Sequence, residues 1–169
     1  HPSNNMDVIL GQGTASKELI EQYGSFDHII VPVGGGGLLA GSALIAKYFG
    51  GNCSVIGTEP YEVDDAYRSL ISGKIESNIN TNTIADVLRT QLGDKNFPII
   101  LNEVKKIIRI TEDEIIDSMK LIWQRLKIIC EPSCSLPLAG VLKNKKEFKG
   151  KRIGIIITGG NVDLNNLPF

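Results

Sequence analysis

The stretch VPVGGGGLLAG, residues 31–41, places four consecutive glycines between a β-branched run and an apolar segment with helical spacing. Glycine lacks a Cβ atom, so it adopts positive φ angles and lets a ligand approach the main chain, but each glycine also costs conformational entropy on folding. Four together therefore indicate a functional demand on the backbone. Their place between the two patterns predicts a junction where a strand ends and a helix begins.

This junction predicts an anion site. Unpaired N–H groups and the helix dipole converge at the amino end of a helix, and a phosphate needs backbone close enough to donate several hydrogen bonds. A flexible turn is the plainer alternative, but a turn requires only one or two glycines. Because GGGGL matches neither the GxGxxG nor the GxxxxGK[ST] pattern, no nucleotide motif identifies the phosphate.

Strand-like and helix-like patterns alternate along the rest of the chain. Short β-branched runs that end in glycine, threonine or acidic residues are typical of buried parallel strands. They occupy residues 26–33, 53–59, 106–111 and 152–160, and helical spacing marks 36–49, 111–129 and 135–148. The alternation predicts an α/β fold of three layers, an open, mostly parallel twisted sheet with helices on both faces.

Length and composition fit one domain spanning residues 1–169. The chain has a net charge of −1 and 42% hydrophobic residues, which suffices for a sizeable core. Scattered charges argue against a nucleic-acid or membrane-surface partner, and no apolar run reaches membrane-spanning length. The cysteines Cys53, Cys130 and Cys134 lack CxxC spacing and neighbouring histidines. They favour neither zinc nor a disulfide framework, and they predict a reducing, cytoplasmic compartment.

Seven short motifs together resemble one family, the fold-type II pyridoxal-phosphate enzymes, and within it the serine racemase and threonine or serine dehydratase branch. They occur in that family's order and spacing across nearly the whole chain. The motifs are GQGT (11–14), VPVGGGGLLAG (31–41), GTEP (57–60), TIAD (83–86), TEDEI (111–115), EPS (131–133) and GGNVDL (159–164).

The resemblance implies an enzyme that uses pyridoxal 5′-phosphate. It favours a serine racemase with serine dehydratase chemistry, a β-elimination that releases ammonia. Threonine ammonia-lyase is the near alternative, and a non-catalytic phosphate-binding module is an alternative from another class. The implied substrate is a small amino acid, serine or threonine, and the implied assembly of the intact enzyme is a homodimer.

The resemblance also implies the coenzyme contacts. It assigns the phosphate to Gly34, Gly35, Gly36, Gly37 and Leu38. It sets the hydroxyl of Thr158 against the pyridine nitrogen, where a neutral group would leave the ring largely unprotonated and a weaker electron sink. Taken by itself, the position of Thr158 favours a strand-end residue that caps a turn, and the flanking GGNVDL motif shifts the preference to the coenzyme contact. Glu131, an acid that follows an apolar run, is implied to lie beside the coenzyme and to tune it.

The segment TEPYEVDD, residues 58–65, carries clustered carboxylates at a predicted strand end. Oxygen clusters suit hard divalent cations. The resemblance implies that Glu59, the carbonyl of Val63 and Asp65 hold Mg²⁺ or Ca²⁺. The alternative, equal on spacing alone, is that these acids begin a helix, where acidic residues are common.

Two departures from the family pattern affect the expected activity. No lysine of the chain lies in the family's Schiff-base motif, so we expect the chain to represent the large domain of a longer two-domain enzyme and to be inactive alone. The second departure concerns the pocket. Val87 stands where the family usually has glycine, and Cys134 and Ser135 replace small residues after EPS. A β-branched Val87 would narrow the substrate pocket.

Overall fold

The computed structural model describes all 169 residues, and helices alternate with strands along the chain. The helices are α1 (Met6–Tyr23), α2 (Gly37–Phe49), α3 (Asp65–Ser72), α4 (Phe97–Glu103), α5 (Glu112–Leu121) and α6 (Pro132–Lys143). The strands are β1 (His28–Pro32), β2 (Ser54–Pro60), β3 (Val104–Ile110) and β4 (Ile153–Ile155). A 3₁₀ turn spans Asp86–Leu88, and a π-helical turn spans Ile122–Leu126.

The four strands form one sheet in the order β3-β2-β1-β4, and all neighbours run parallel. Successive residues of β1 enter different cores, because side chains alternate across a strand. Ile29 packs in the core that α1, α2 and α4 cover, and Ile30 packs in the core that α5 and α6 cover. The predicted α/β fold, with helices on both faces of a parallel sheet, is confirmed.

The strand order places a topological switch point between β1 and β4. From β1 the chain continues to β2 and β3 on one side, and it then returns to β4 on the other side of β1. The connections that leave β1 and β4 therefore diverge, and they open a crevice at the carboxyl ends of these two strands. Open α/β sheets bind their ligands in such crevices.

Helix α1 is absent from the sequence-based prediction, because Gly11 and Gly13 lower the helix propensity of its segment. Tertiary packing accounts for Gly13, which faces Gly41 of α2. A Cβ atom on Gly13 would lie 2.8 Å from the carbonyl oxygen of Gly41. The two glycines thus allow the backbones of α1 and α2 to approach each other closely.

Several predicted boundaries were wrong. Helix α6 begins at Pro132 rather than at residue 135, since proline suits the first helical position, and Pro137 lies inside the helix. Helix α5 begins at the predicted capping box, but its regular part ends at Leu121. Strand β4 has three residues rather than nine. No helix combines the length and apolar character that crossing a membrane requires.

Candidate functional site

The glycine run forms the loop between β1 and α2, as the sequence predicted. Gly36 is the residue before α2, and its φ of +83° lies in the left-handed region that favours glycine. The N–H groups of Gly34 to Leu38 have no hydrogen-bond acceptor within the chain. The loop therefore offers unpaired donors at a helix amino end, which is the arrangement that binds phosphate.

A cavity of about 270 Å³ lies against this loop, and the four glycines, Leu38 and Thr158 all line it. Thr158 follows β4 by three residues, so the cavity occupies the crevice at the switch point. The Thr158 side chain is exposed and makes no hydrogen bond within the chain, which leaves its hydroxyl free for a ligand. No lysine lines the cavity.

Close packing behind the loop gives a second reason for the glycines. A Cβ atom on Gly34 would lie 2.8 Å from Oγ1 of Thr90, and one on Gly36 would lie 2.7 Å from Cδ2 of Leu92. Real Cβ atoms essentially never approach other heavy atoms so closely. The glycine run is therefore required by the segment that packs against it as well as by its own backbone angles.

Glu131 does not line the cavity but lies behind the segment that carries Thr158. Its carboxylate accepts a hydrogen bond from the N–H of Asn161 at 3.0 Å, and its own N–H donates to the carbonyl of Gly159 at 3.1 Å. A Cβ atom on Gly159 would lie 3.0 Å from Oε2 of Glu131. Glu131 thus fixes the backbone that immediately follows Thr158.

The predicted metal-binding residues lie at the carboxyl end of the next strand, β2, and are fully buried. The two carboxylate oxygens of Glu59 accept the N–H groups of Ala66 and Tyr67, at 3.1 and 2.9 Å, so Glu59 caps the first turn of α3. Oδ1 of Asp65 is buried without a hydrogen-bond partner, and the carbonyl of Val63 accepts no hydrogen bond. These two oxygens are therefore available to a cation.

Burial disfavours the charged forms of both acids. Burial and the neighbouring Asp65 raise the pKa of Glu59 well above its usual value, and burial raises the pKa of Asp65 to about 6. Two buried carboxylates need protons or a cation between them, and the donor set fits a divalent cation. Groups of three His, Cys, Asp or Glu side chains arranged to hold a metal do not occur in the chain, so a cation here would also need the Val63 carbonyl.

The acids that follow Glu59 have separate roles. Asp64 makes ion pairs with Arg68 and Arg109 at 2.7 and 2.9 Å, and Glu62 is exposed. The alternative prediction, that acids begin a helix here, describes Asp65 in part, because this residue opens α3. Asp65 is completely buried, however, whereas an acidic residue that only begins a surface helix would be exposed.

Val87 and Cys134, which depart from the family pattern, differ in their exposure to solvent. Val87 is 53% exposed and lines the glycine-loop cavity. Cys134 is buried, and its Sγ lies 2.9 and 3.2 Å from the carbonyl oxygens of Gly159 and Glu131, which share its single thiol hydrogen. Val87 therefore bears on the shape of the cavity, whereas Cys134 supports the backbone next to Thr158. Cys53, Cys130 and Cys134 are all free thiols.

Sequence reasoning missed Leu92 and Asn96, which hold the back of the glycine loop. Neither belongs to a recognisable motif, and only a polar asparagine next to the apolar run FPII gives a weak sign. Their importance follows from contacts between segments that are distant along the chain.

Comparison with known families agrees with this geometry. Residues 1–159 match the model of the family described as pyridoxal-phosphate dependent enzymes. The chain belongs to this family. The family's coenzyme is pyridoxal 5′-phosphate, which carries a phosphate group.

Curated relatives align with nearly the whole chain. The chain is 51% identical to a serine racemase of Dictyostelium discoideum, over 99% of the chain and 53% of that relative. It is 46% identical to a β-hydroxyaspartate dehydratase of Paracoccus denitrificans, over 100% of the chain and 54% of the relative. The chain thus spans about half the length of the curated relatives it matches.

Solved structures show the same fold. The crystal structure of the Dictyostelium discoideum serine racemase superposes with a TM-score of 0.91 at 52% identity, covering 97% of this chain and 53% of that chain. The crystal structure of a T.th. threonine deaminase gives a TM-score of 0.93 at 38% identity, covering 97% of this chain and 62% of that chain. The family's racemases and deaminases therefore share this arrangement of sheet and helices.

Proposed function

We propose that the chain forms the coenzyme-binding large domain of a pyridoxal-phosphate-dependent serine racemase that also eliminates water and ammonia from serine. The observation that carries the proposal is the convergence of the glycine loop and Thr158 on one cavity at the β1–β4 switch point. One element supplies unpaired N–H groups for a phosphate. The other supplies a free hydroxyl across the same cavity.

Each element has a distinct role in this proposal. The N–H groups of Gly34 to Leu38 bind the coenzyme phosphate, and the Thr158 hydroxyl contacts the pyridine nitrogen. Glu131 tunes this contact indirectly, since it fixes the backbone at Gly159 and Asn161. When bound, the coenzyme withdraws electrons from the α-carbon of the amino acid, which makes the α-hydrogen acidic.

We further propose that Glu59, the Val63 carbonyl and Asp65 hold Mg²⁺ or Ca²⁺. The unpartnered Oδ1 of Asp65 and the free carbonyl of Val63 support this proposal, because a buried acceptor without a donor is costly. Oxygen ligands of this kind match hard divalent cations. The cation would connect the end of β2 to the first turn of α3.

A second candidate substrate is 3-hydroxyaspartate, which resembles serine but carries a second carboxylate. Arg89 supports it, because this residue lines a cavity of about 440 Å³ beside Asp86 and Asn161. Its Nε and Nη2 donate to the carbonyl of Thr83, whereas Nη1 has no partner in the chain. A guanidinium held in this way suits recognition of a carboxylate. Relatives at 46% and 45% identity are named as a β-hydroxyaspartate dehydratase and an L-threo-3-hydroxyaspartate ammonia-lyase.

The remainder of the full-length protein is proposed to supply the Schiff-base lysine and the other wall of the cleft. The relatives' greater length supports this division into two domains. We propose a homodimer by analogy with the family. Three free cysteines support a cytoplasmic, reducing compartment.

The test is a comparison of substrates on the purified full-length protein with pyridoxal 5′-phosphate. We expect L-serine to give D-serine, seen by chiral chromatography, together with pyruvate. Faster turnover of L-threonine to 2-oxobutanoate would favour threonine ammonia-lyase, and faster turnover of 3-hydroxyaspartate to oxaloacetate would favour the second candidate.

Two further measurements separate the remaining alternatives. If the protein binds the coenzyme but converts none of these amino acids, the alternative of a non-catalytic phosphate-binding module would be supported. The 169-residue chain alone is expected to release no pyruvate, since nucleophilic activation and one wall of the cleft are then absent. Pyruvate release by that chain would contradict the proposed division of roles.

A further inference from the structure

Asn96 is a fully buried polar residue just before α4, outside the cavity, and it joins three separate segments. Its Nδ2 donates to the carbonyl of Gly35 at 2.7 Å and to the carbonyl of Ser3 at 2.9 Å. Its Oδ1 accepts the N–H of Gly93 at 3.1 Å. Both amide hydrogens are therefore used, and one of them holds the glycine loop.

The hydrogen bond to Gly35 determines the direction of the next N–H group. In a trans peptide the carbonyl oxygen and the N–H of the following residue point to opposite sides of the chain. Because the Gly35 carbonyl is directed toward Asn96, the N–H of Gly36 is directed away from Asn96. Asn96 lies behind the loop, so this orientation leaves the Gly36 N–H for a ligand on the opposite side.

The loop needs such an external constraint. Glycine backbones have many accessible conformations, and the left-handed φ of Gly36 is only one of them. A donor fixed on one carbonyl selects the peptide orientation before a ligand arrives. Preorganised donors lose less conformational freedom on binding, which strengthens recognition.

We propose that Asn96 is a positioning residue for phosphate recognition: by holding the Gly35 carbonyl it presents the loop N–H groups to a phosphate monoester. This inference rests on the proposed coenzyme site. It assigns to Asn96 an effect on the phosphate end of the cavity, because Asn96 contacts the cavity through the backbones of Gly35 and Ser3 and makes no hydrogen bond with Thr158.

The prediction is tested by measuring the affinities of the full-length protein for pyridoxal 5′-phosphate and for pyridoxal, which lacks the phosphate. Asn96→Leu preserves the approximate size of the side chain but removes both donors, and Asn96→Asp replaces the donors with oxygen acceptors. We expect each variant to bind pyridoxal 5′-phosphate about 10-fold or more weakly, the loss expected when one well-placed hydrogen bond is removed. Affinity for pyridoxal should change less than about 2-fold, which a general loss of structure would not produce.

Asn102→Asp is the matched control, because Asn102 makes its hydrogen bond within α4, to the carbonyl of Pro98 at 2.8 Å. This variant should keep both affinities. Equal losses for the two ligands in the Asn96 variants, or no loss for either, would overturn the inference. Failure of the wild-type protein to bind pyridoxal 5′-phosphate would instead overturn the proposed function.

The wild-type protein provides a second test that does not depend on the folding of a variant. On addition of inorganic phosphate, the side-chain amide signals of Asn96 in a ¹⁵N spectrum should shift together with the backbone signals of Gly35 and Gly36. The side-chain signals of Asn102 should stay in place. Phosphate-induced shifts in the two glycines without any shift of the Asn96 side chain would contradict the proposed role.

Discussion

The backbone N–H of Leu92 donates a hydrogen bond to Oδ2 of Asp65 over 3.2 Å, although 27 residues separate them. The side chain of Leu92 packs against Gly36, where a Cβ atom would lie 2.7 Å from Cδ2 of Leu92. Leu92 therefore contacts Asp65, which forms a buried acid pair with Glu59 at the end of β2, and also Gly36 of the glycine loop at the end of β1. Occupation of either site should influence the other, and such coupling is reciprocal for binding.

The first prediction concerns a cation at the acid pair. Saturating Mg²⁺ should raise the melting temperature of the full-length protein, because a ligand that binds only the folded state stabilises it by mass action. Asp65→Asn removes the negative charge of the carboxylate whose Oδ1 has no hydrogen-bond partner, and it should abolish most of that increase. Differential scanning calorimetry with and without Mg²⁺ measures the effect.

Glu62→Gln is the control for this experiment, because Glu62 is exposed and belongs to the same acidic segment. Asp64 is unsuitable, since its ion pairs with Arg68 and Arg109 would be lost as well. An equal response to Mg²⁺ in wild type and Asp65→Asn would show that the acid pair does not bind the cation.

The second prediction is a pH dependence of stability in the absence of divalent cations. Burial raises the pKa of Asp65 to about 6 and that of Glu59 well above its usual range, so the folded state binds protons more tightly than the unfolded chain. The stabilisation by these protons is complete below the unfolded pKa and is lost as the pH rises through the folded pKa. The free energy of unfolding contributed by the pair should therefore fall between about pH 4 and pH 6, and further as Glu59 loses its proton.

Urea titrations of wild type and Asp65→Asn in a chelator isolate this contribution. The difference between the two proteins should change with pH across that window, whereas exposed ion pairs contribute equally to both. A difference that is constant from about pH 4 to pH 7 would contradict the raised pKa of Asp65.

The third prediction is that Gly36→Ala weakens coenzyme binding. Alanine at a φ of +83° is strained by about 1 kcal/mol, and its Cβ would lie 2.7 Å from Leu92 and 2.8 Å from Oδ1 of Asn96. Relief of these contacts requires the loop to move, so affinity for pyridoxal 5′-phosphate should fall about 10-fold or more.

Gly51→Ala is a matched control, because Gly51 also has a positive φ, +62°, but a Cβ there meets no atom within 4 Å. This variant should lose a similar amount of stability from backbone strain and keep its coenzyme affinity. Absorbance titration with the coenzyme measures the affinity of both variants. Unchanged affinity in Gly36→Ala would mean that the glycine loop does not hold the phosphate.

The fourth prediction concerns the free hydroxyl of Thr158. Thr158→Val preserves the shape of the side chain but cannot donate a hydrogen bond to a ring nitrogen. We expect kcat for serine to fall about 10-fold, the effect of one lost hydrogen bond to the reacting system, with a shift of the coenzyme absorbance. Thr158→Ser should retain wild-type kcat and absorbance. Identical spectra and rates in all three proteins would remove Thr158 from the proposed site.

The strand and helix patterns allowed the layered α/β fold to be predicted, because hydrophobic periodicity and glycine placement are local properties. The capping box of Thr111 and Glu114 is an example, since its two hydrogen bonds join residues three apart. Boundaries were less certain. Helix α1 was missed because Gly11 and Gly13 lower its local propensity, and only close packing against Gly41 explains Gly13.

The sequence alone determined that a glycine-rich strand–helix junction would expose unpaired N–H groups, since this follows from backbone chemistry within a few residues. Only the tertiary structure decided what surrounds that junction. The order of the strands brings Thr158 to the same cavity, and long-range folding brings Asn96 behind Gly35 and Leu92 against Asp65. These contacts join residues from 27 to more than 100 positions apart, and no local pattern encodes such distances, because they depend on how every intervening element packs.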